Sequence, residues 1–169
     1  LAISEFGPGS LIYHEGRAFR VTKARLPAGL RNNEDGRLVT QQLYVCAVCG
    51  ASHPSEVELC RSCGAPIAGT EPIRNIFRID NVETAPTERI TANDEDRQRQ
   101  GFDIQTVYEW PSQALESQRR SAAVLDGGDL VLSVDYAPGT LISRVNKGLR
   151  RRADRSSLGF GIDPASGRW

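Results

Sequence analysis

The chain has no methionine, two histidines and four cysteines in 169 residues, and aromatic residues make up only 7% of it. Each scarcity removes a class of function. With His14 and His53 as the only imidazoles, a Ser-His-Asp or Cys-His arrangement has almost nothing to build on. No HExxH, GxSxG or GxxxxGK[ST] occurs, so zinc-peptidase, serine-hydrolase and phosphate-loop chemistry have no foothold in this stretch. Long apolar runs are missing too: Leu130-Val131-Leu132 is among the longest, far short of the ~20 residues of a membrane span. No charged and then hydrophobic leader opens the chain, from which we expect a cytoplasmic protein with no membrane partner. The missing methionine, the start at Leu1 and the abrupt end at Gly167-Arg168-Trp169 lead us to expect a piece of a longer protein.

What is present describes a folded, soluble chain. Hydrophobic residues are 39% and charged residues 25%, a balance typical of globular domains. Lys and Arg number 21 and Asp and Glu 21, for zero net charge, yet the charges are unevenly placed. From Ala137 to Trp169 seven basic residues face two acids, Asp154 and Asp163, which can create a local positive field that the total hides.

Patterning predicts strands. Leu11-Ile12-Tyr13 and Ala18-Phe19-Arg20-Val21 flank His14-Glu15-Gly16-Arg17 and read as a hairpin. Arg31 to Gly36 makes a second turn before Leu38-Val39-Thr40, and the cysteine segment then lies on paired short strands. Ile73 to Ile79 and Phe102 to Trp110 alternate with period two. Further strands are expected at Ala122–Leu125, Leu130–Tyr136 and Leu141–Val145. One short polar helix is expected near 91–100: Thr91 or Asn93 caps it, Asp94, Glu95 and Asp96 suit its positive end, and Gly101 stops it. The fold class is mostly β (α+β), with small β-sheets or a barrel-like core, a zinc ribbon and one or two short helices. Three regions are expected: an N-terminal hairpin region over 1–40, the zinc ribbon over 41–70 and a β-rich region over 71–169.

All four cysteines stand in two CxxC pairs, Cys46/Cys49 and Cys60/Cys63, each followed by glycine, with ten residues between Cys49 and Cys60. Residues i and i+3 of a tight turn converge their sulfurs on one point, so two such turns offer a tetrahedral thiolate set for one zinc ion. An iron–sulfur cluster is the principal rival. Disulfides lack an oxidising context, and a redox centre usually has a single CxxC at a helix start. His53, inside the loop, is a substitute ligand at most; an exposed loop residue is the simpler expectation. Four thiolates also close the coordination sphere, which leaves no position for an activated water and makes the zinc structural.

Two arginine clusters suit phosphate oxygens. One comprises Arg89, Arg97 and Arg99, interleaved with Gln98 and Gln100. The other comprises Arg144, Lys147, Arg150, Arg151, Arg152 and Arg155. For the second, DNA or an acidic partner stands as an equal alternative to a solvated surface or to pairing with the acids of the first cluster; for the first, a charged helix face is the simpler reading. Asp94, Glu95 and Asp96 would serve a nuclease as magnesium ligands, but the helix dipole explains them more simply.

The run from Arg74 to Trp110, with ERITANDEDRQRQGF at its centre, resembles a stretch of large bacterial superfamily-two DNA helicases of the DISARM and mitomycin-repair type. There an ERIT signature followed by acidic and arginine-rich residues lies beyond the motor. The tail from Ile142 to Trp169, ISRVNKGLRRR and then GFGID and GRW, is similar to another piece of that accessory region, which carries a four-cysteine zinc site. The resemblance runs from Leu43 onward. It implies an ATP-driven helicase acting on DNA in defence or repair, with motor domains on the same chain or a partner subunit. The Walker lysine, DExH and arginine-finger motifs are not in this sequence, so only Cys46, Cys49, Cys60 and Cys63 carry over, as zinc ligands. A protein-interaction module that touches no DNA is the alternative.

Overall fold

A computed structural model describes residues 2–26, 29, 36–87, 101–110 and 118–169. The expected polar helix near 91–100 lies outside these residues, as does the expected turn from Arg31 except for Gly36. A four-residue helix, α1 (Ala2–Glu5), opens the chain. The strands are β1 (Leu11–His14), β2 (Arg17–Ala24), β3 (Gln41–Val45), β4 (Ser52–His53) and β5 (Ile73–Ile76). They continue as β6 (Val82–Pro86), β7 (Phe102–Glu109), β8 (Arg120–Asp126), β9 (Asp129–Tyr136) and β10 (Leu141–Leu149). The fold is mostly β, built of small sheets ordered β1-β2-β6, β10-β7, β4-β3-β5 and β8-β9. Among the described residues no helix is long and apolar enough to cross a membrane.

The chain divides into two compact units. The first comprises Leu1–Gln41, Arg74–Gln105 and Arg144–Trp169; the second comprises Gln42–Ile73 and Thr106–Ser143.

In the first unit β1 and β2 form the expected hairpin, Leu11 opposite Arg20 and His14 opposite Arg17. A bulge between Val21 and Lys23 resets the alternation of β2 against β6, so Val21 and Ala24 are both buried. β6 escaped the sequence reading because Val-Glu-Thr-Ala-Pro lacks an apolar alternation. Its Pro86 is tolerated because β6 is an edge strand. Phe102 anchors this core. Its ring meets Phe160 edge-on at 5.9 Å, and Phe160 meets Trp169 at 6.4 Å, so the terminal tryptophan is part of an aromatic chain. Two glycines make room for close approach. A Cβ on Gly7 would fall 2.4 Å from Phe102 Cζ, and one on Gly167 would fall 2.1 Å from the Ala24 carbonyl oxygen. Gly167 also has φ of 74° and accepts the Ala24 N–H at 2.8 Å.

In the second unit β3 and β4 pair antiparallel, Tyr44 opposite His53 and Val45 opposite Ser52. The buried cluster there is Cys46, Ala51, Cys60 and Ile67, with Tyr44, Val57 and Tyr108 packed against it. β8 and β9 form a separate antiparallel hairpin with Asp126 opposite Asp129 at its tip.

Candidate metal centre

The two CxxCGA segments, residues 46–51 and 60–65, fold into the same knuckle twice. In the first, the Cys46 N–H donates to the Ala51 carbonyl at 2.8 Å and the Gly50 N–H donates to the Cys46 carbonyl at 2.9 Å. In the second, Cys60 and Ala65 repeat the first bond at 2.7 Å, and Gly64 and Cys60 the second at 2.8 Å. Each knuckle turns a strand pair: Val45 faces Ser52 across one, and Leu59 faces Pro66 across the other. The reversal after each second cysteine requires positive φ, met by Gly50 at 78° and Gly64 at 73°, a region glycine enters without steric cost.

This repetition brings the four Sγ atoms together. Cys46 and Cys63 lie 3.7 Å apart, Cys49 and Cys60 3.6 Å, and all four sulfurs are within 4.8 Å of one another. A regular tetrahedron with metal–sulfur bonds of ~2.3 Å has sulfur–sulfur edges of ~3.8 Å. The four cysteines therefore fit one tetrahedral ion. Thiolates on different irons of a multi-iron cluster stand farther apart, which argues against that rival. The sulfurs are also too far apart for disulfides, whose bond is ~2.05 Å.

The surroundings treat the thiols unequally. Burial pushes the Cys60 thiol up to about 12, only partly opposed by the N–H groups of Cys63 and Ser62. At Cys49 burial also resists ionisation, but hydrogen bonds from the Tyr108 hydroxyl, the Ala51 N–H and the neighbouring thiols outweigh it, lowering the group to about 6. Tyr108 itself is pushed up to about 12, by burial first and then by its contact with Cys49.

Tyr108 and Arg119 brace the site, and sequence reasoning named neither. The Tyr108 hydroxyl lies 3.1 Å from Ser62 Oγ, inside the second knuckle, while its carbonyl accepts the Ser52 hydroxyl at 3.2 Å. Arg119 Nη2 donates to the Ser62 carbonyl at 3.2 Å and to Asp135 Oδ1 at 3.2 Å. Its guanidinium sits 4.6 Å from the centre of the Trp110 ring. Phe102 to Trp110 announced a strand, but nothing in the alternation marks Tyr108 as a partner of a cysteine far back along the chain.

His53 corrects an expectation. It is buried at 4% exposure in β4, because it pairs with Tyr44 in the sheet, whereas the sequence suggested an exposed loop. The metal-donor group is formed by the four cysteines alone among the described residues. The His53 Nε2 is buried without a hydrogen-bond partner there, and burial lowers the pKa of the ring.

The basic cluster divides in two. Arg152 donates from Nη2 to Asp103 Oδ2 at 3.1 Å, and Lys147 Nζ lies 3.8 Å from Asp103 Oδ1. Arg152 also caps the Leu149 carbonyl at 2.9 Å and the Arg155 carbonyl at 3.2 Å. These two charges tie the end of β10 and the chain just after it to Asp103 of β7. Arg144, Arg150, Arg151 and Arg155 are exposed. Arg89, Arg97 and Arg99, and the acids Asp94, Glu95 and Asp96, lie outside the described residues.

No family model, no curated protein and no solved structure matches the chain.

Proposed function

We propose that this chain is a non-catalytic, zinc-stapled accessory region of a bacterial ATP-dependent DNA helicase, working in the cytoplasm in defence or repair. Its role is to dock DNA alongside the motor domains. Zinc suits the site because four thiolates at tetrahedral spacing match its ligand preference and fill its coordination sphere. The ERIT segment and the 142–169 tail support the helicase setting by their resemblance. The DNA role rests on one observation: Arg144, Arg150, Arg151 and Arg155 are exposed and, among the described residues, meet no carboxylate, while Asp103 absorbs their neighbours.

The test is binding of a fluorescein-labelled duplex to the chain, followed by anisotropy across salt concentration. Affinity is expected to fall as salt rises. The triple change Arg150→Ala, Arg151→Ala, Arg155→Ala should reduce the slope of log K against log salt by ~3, one phosphate per arginine. Salt-insensitive or absent binding overturns the DNA role. A Walker lysine and a DExH motif are expected elsewhere in the parent chain or in a subunit that copurifies with it; their lack in both would remove the helicase setting. A second reading, a protein-interaction module, is favoured by the exposure of the whole β8–β9 hairpin.

A further inference from the structure

The two knuckles repeat one geometry, so Cys49 and Cys63, the second cysteine of each, hold equivalent places. Their surroundings differ. β7 runs beside the first knuckle: Ala51 forms a bridge with Tyr108, and the Ser52 hydroxyl donates to the Tyr108 carbonyl at 3.2 Å. Tyr108 is thereby packed on the same buried cluster as Cys49, which is half-buried. The first cysteines lie deeper, Cys46 at 2% and Cys60 at 3% exposure. Cys63 is the one exposed cysteine of the four, and its Sγ lies 3.7 Å from the Sγ of buried Cys46 in the other knuckle. The thiolate set is thus shielded at three corners and open to solvent at the fourth.

Given zinc at this centre, the reading proposed above, we infer that Cys63 is a peroxide-reactive site whose oxidation to a disulfide with Cys46 unloads the metal. A metal-ligating thiol is deprotonated, and the thiolate is the form that attacks a peroxide. The Cys63 sulfur bonds to one oxygen of hydrogen peroxide, the O–O bond breaks and hydroxide leaves, which gives a sulfenic acid. The Cys46 thiolate then attacks that sulfur: the S–S bond forms, the S–O bond breaks and a second hydroxide leaves. Two thiolates have given up two electrons, and one peroxide has become two hydroxides. Closing the gap from 3.7 Å to the ~2.05 Å of a disulfide takes rotation of the exposed Cys63 side chain. Cys49 and Cys60 are then the only thiolates left of the four that a closed zinc site uses, so the knuckles lose the ion that orders them. A dithiol reductant reopens the disulfide by thiol exchange, and the site can be loaded again. The centre thereby acts as a reversible peroxide-sensitive switch on the fold of the ribbon, whatever the ribbon docks.

The sequence makes the linkage readable. Tryptic cleavage at Arg37, Arg61 and Arg74 isolates Cys63 in residues 62–74 and leaves Cys46, Cys49 and Cys60 in residues 38–61. Cleavage after Glu58 then separates Cys60, and tandem mass spectrometry places the bond on Cys46 or Cys49. The zinc-loaded chain is treated with hydrogen peroxide while a chromogenic chelator reads released zinc; free thiols are blocked with iodoacetamide before digestion. The expected result is zinc release in step with one disulfide joining the two peptides through Cys46 and Cys63, and reloading after dithiothreitol and added zinc. Cys63→His keeps a fourth zinc ligand that cannot form the disulfide and should slow release at least ~10-fold, whereas Cys49→His should slow it by less than ~3-fold. Metal analysis and far-UV circular dichroism check that each variant loads and folds; should one fail, the disulfide map of the wild-type chain decides. Zinc retained under peroxide, a first disulfide lacking Cys63 or Cys46, or Cys49→His slowing release as much as Cys63→His overturns the inference and leaves the zinc reading standing. Zinc that does not return after reduction overturns the switch. A wild-type chain that neither carries nor takes up zinc overturns both.

Discussion

Stripping the metal should unfold the knuckle hairpins, and the structure says why the loss is large. Apart from the cysteines, the buried apolar side chains among the described residues of the second unit are Ala51, Ile67 and Val107. Full burial of the two large ones contributes roughly 3–6 kcal/mol together. A structural zinc held by four thiolates contributes about 10–16 kcal/mol at neutral pH, more than those side chains and comparable to the whole net stability of a typical domain, about 5–15 kcal/mol. The assay combines metal analysis with amide exchange. About one zinc per chain is expected, and iron absorbance would overturn the assignment. After complete chelation, the Cys46, Gly50, Cys60 and Gly64 amides, all hydrogen-bonded within the knuckles, should lose their protection together. Metal-free protein in which those four amides stay protected would refute the reasoning, because the apolar core would then hold the ribbon unaided.

Two further outcomes follow from particular contacts. Gly167→Ala places a Cβ 2.1 Å from the Ala24 carbonyl oxygen at a φ of 74°; left-handed strain and overpacking together should cost about 2–4 kcal/mol, read as a lowered midpoint in chemical denaturation. The same midpoint in Gly167→Ala and wild type would show that the terminal turn is free to move. His53 supplies a pH dependence of known sign. Its folded pKa lies below the ordinary value because burial disfavours the charged ring. Between the two pKa values the unfolded chain binds the proton and the folded chain does not. Stability is thus complete above about pH 6.5 and is lost as pH falls through the folded pKa. With excess zinc, His53→Gln should flatten the decline measured between about pH 7.5 and 5.5; an unchanged decline would assign it to other groups.

The hairpins and the clustering of the four cysteines were legible because their signals are local. Glu15-Gly16 between apolar runs marks the β1–β2 turn, and CxxCG fixes both the convergence of the sulfurs and the reversal after them. What escaped depends on partners distant in sequence. β6 exists because Phe19 to Ala24 offers it an edge, and its own residues do not announce a strand. His53 is buried because β4 folds onto Tyr44, a consequence of the first knuckle rather than of the residues around it. Tyr108 reaches Ser62 across 46 positions of sequence, and no short-range pattern encodes that meeting.

The arginine run shows how the same distance hides a division of labour. As sequence, Arg150, Arg151 and Arg152 are equivalent. In the fold Arg152 is held at 16% side-chain exposure by Asp103, a residue of β7, while Arg150 and Arg151 stand in solvent. Neutralising Arg152 would remove the paired charge that keeps Asp103 satisfied beside Lys147 and would free the carbonyls of Leu149 and Arg155. Loss of DNA affinity in an Arg152 variant would therefore report on the shape of the chain after β10. Loss of affinity in Arg150 and Arg151 variants would instead report on the proposed phosphate contact, because an exposed guanidinium without a carboxylate has no folded structure to lose. The two effects separate by salt: a phosphate contact changes the slope of affinity against salt, whereas a misplaced segment lowers affinity in proportion at every salt concentration.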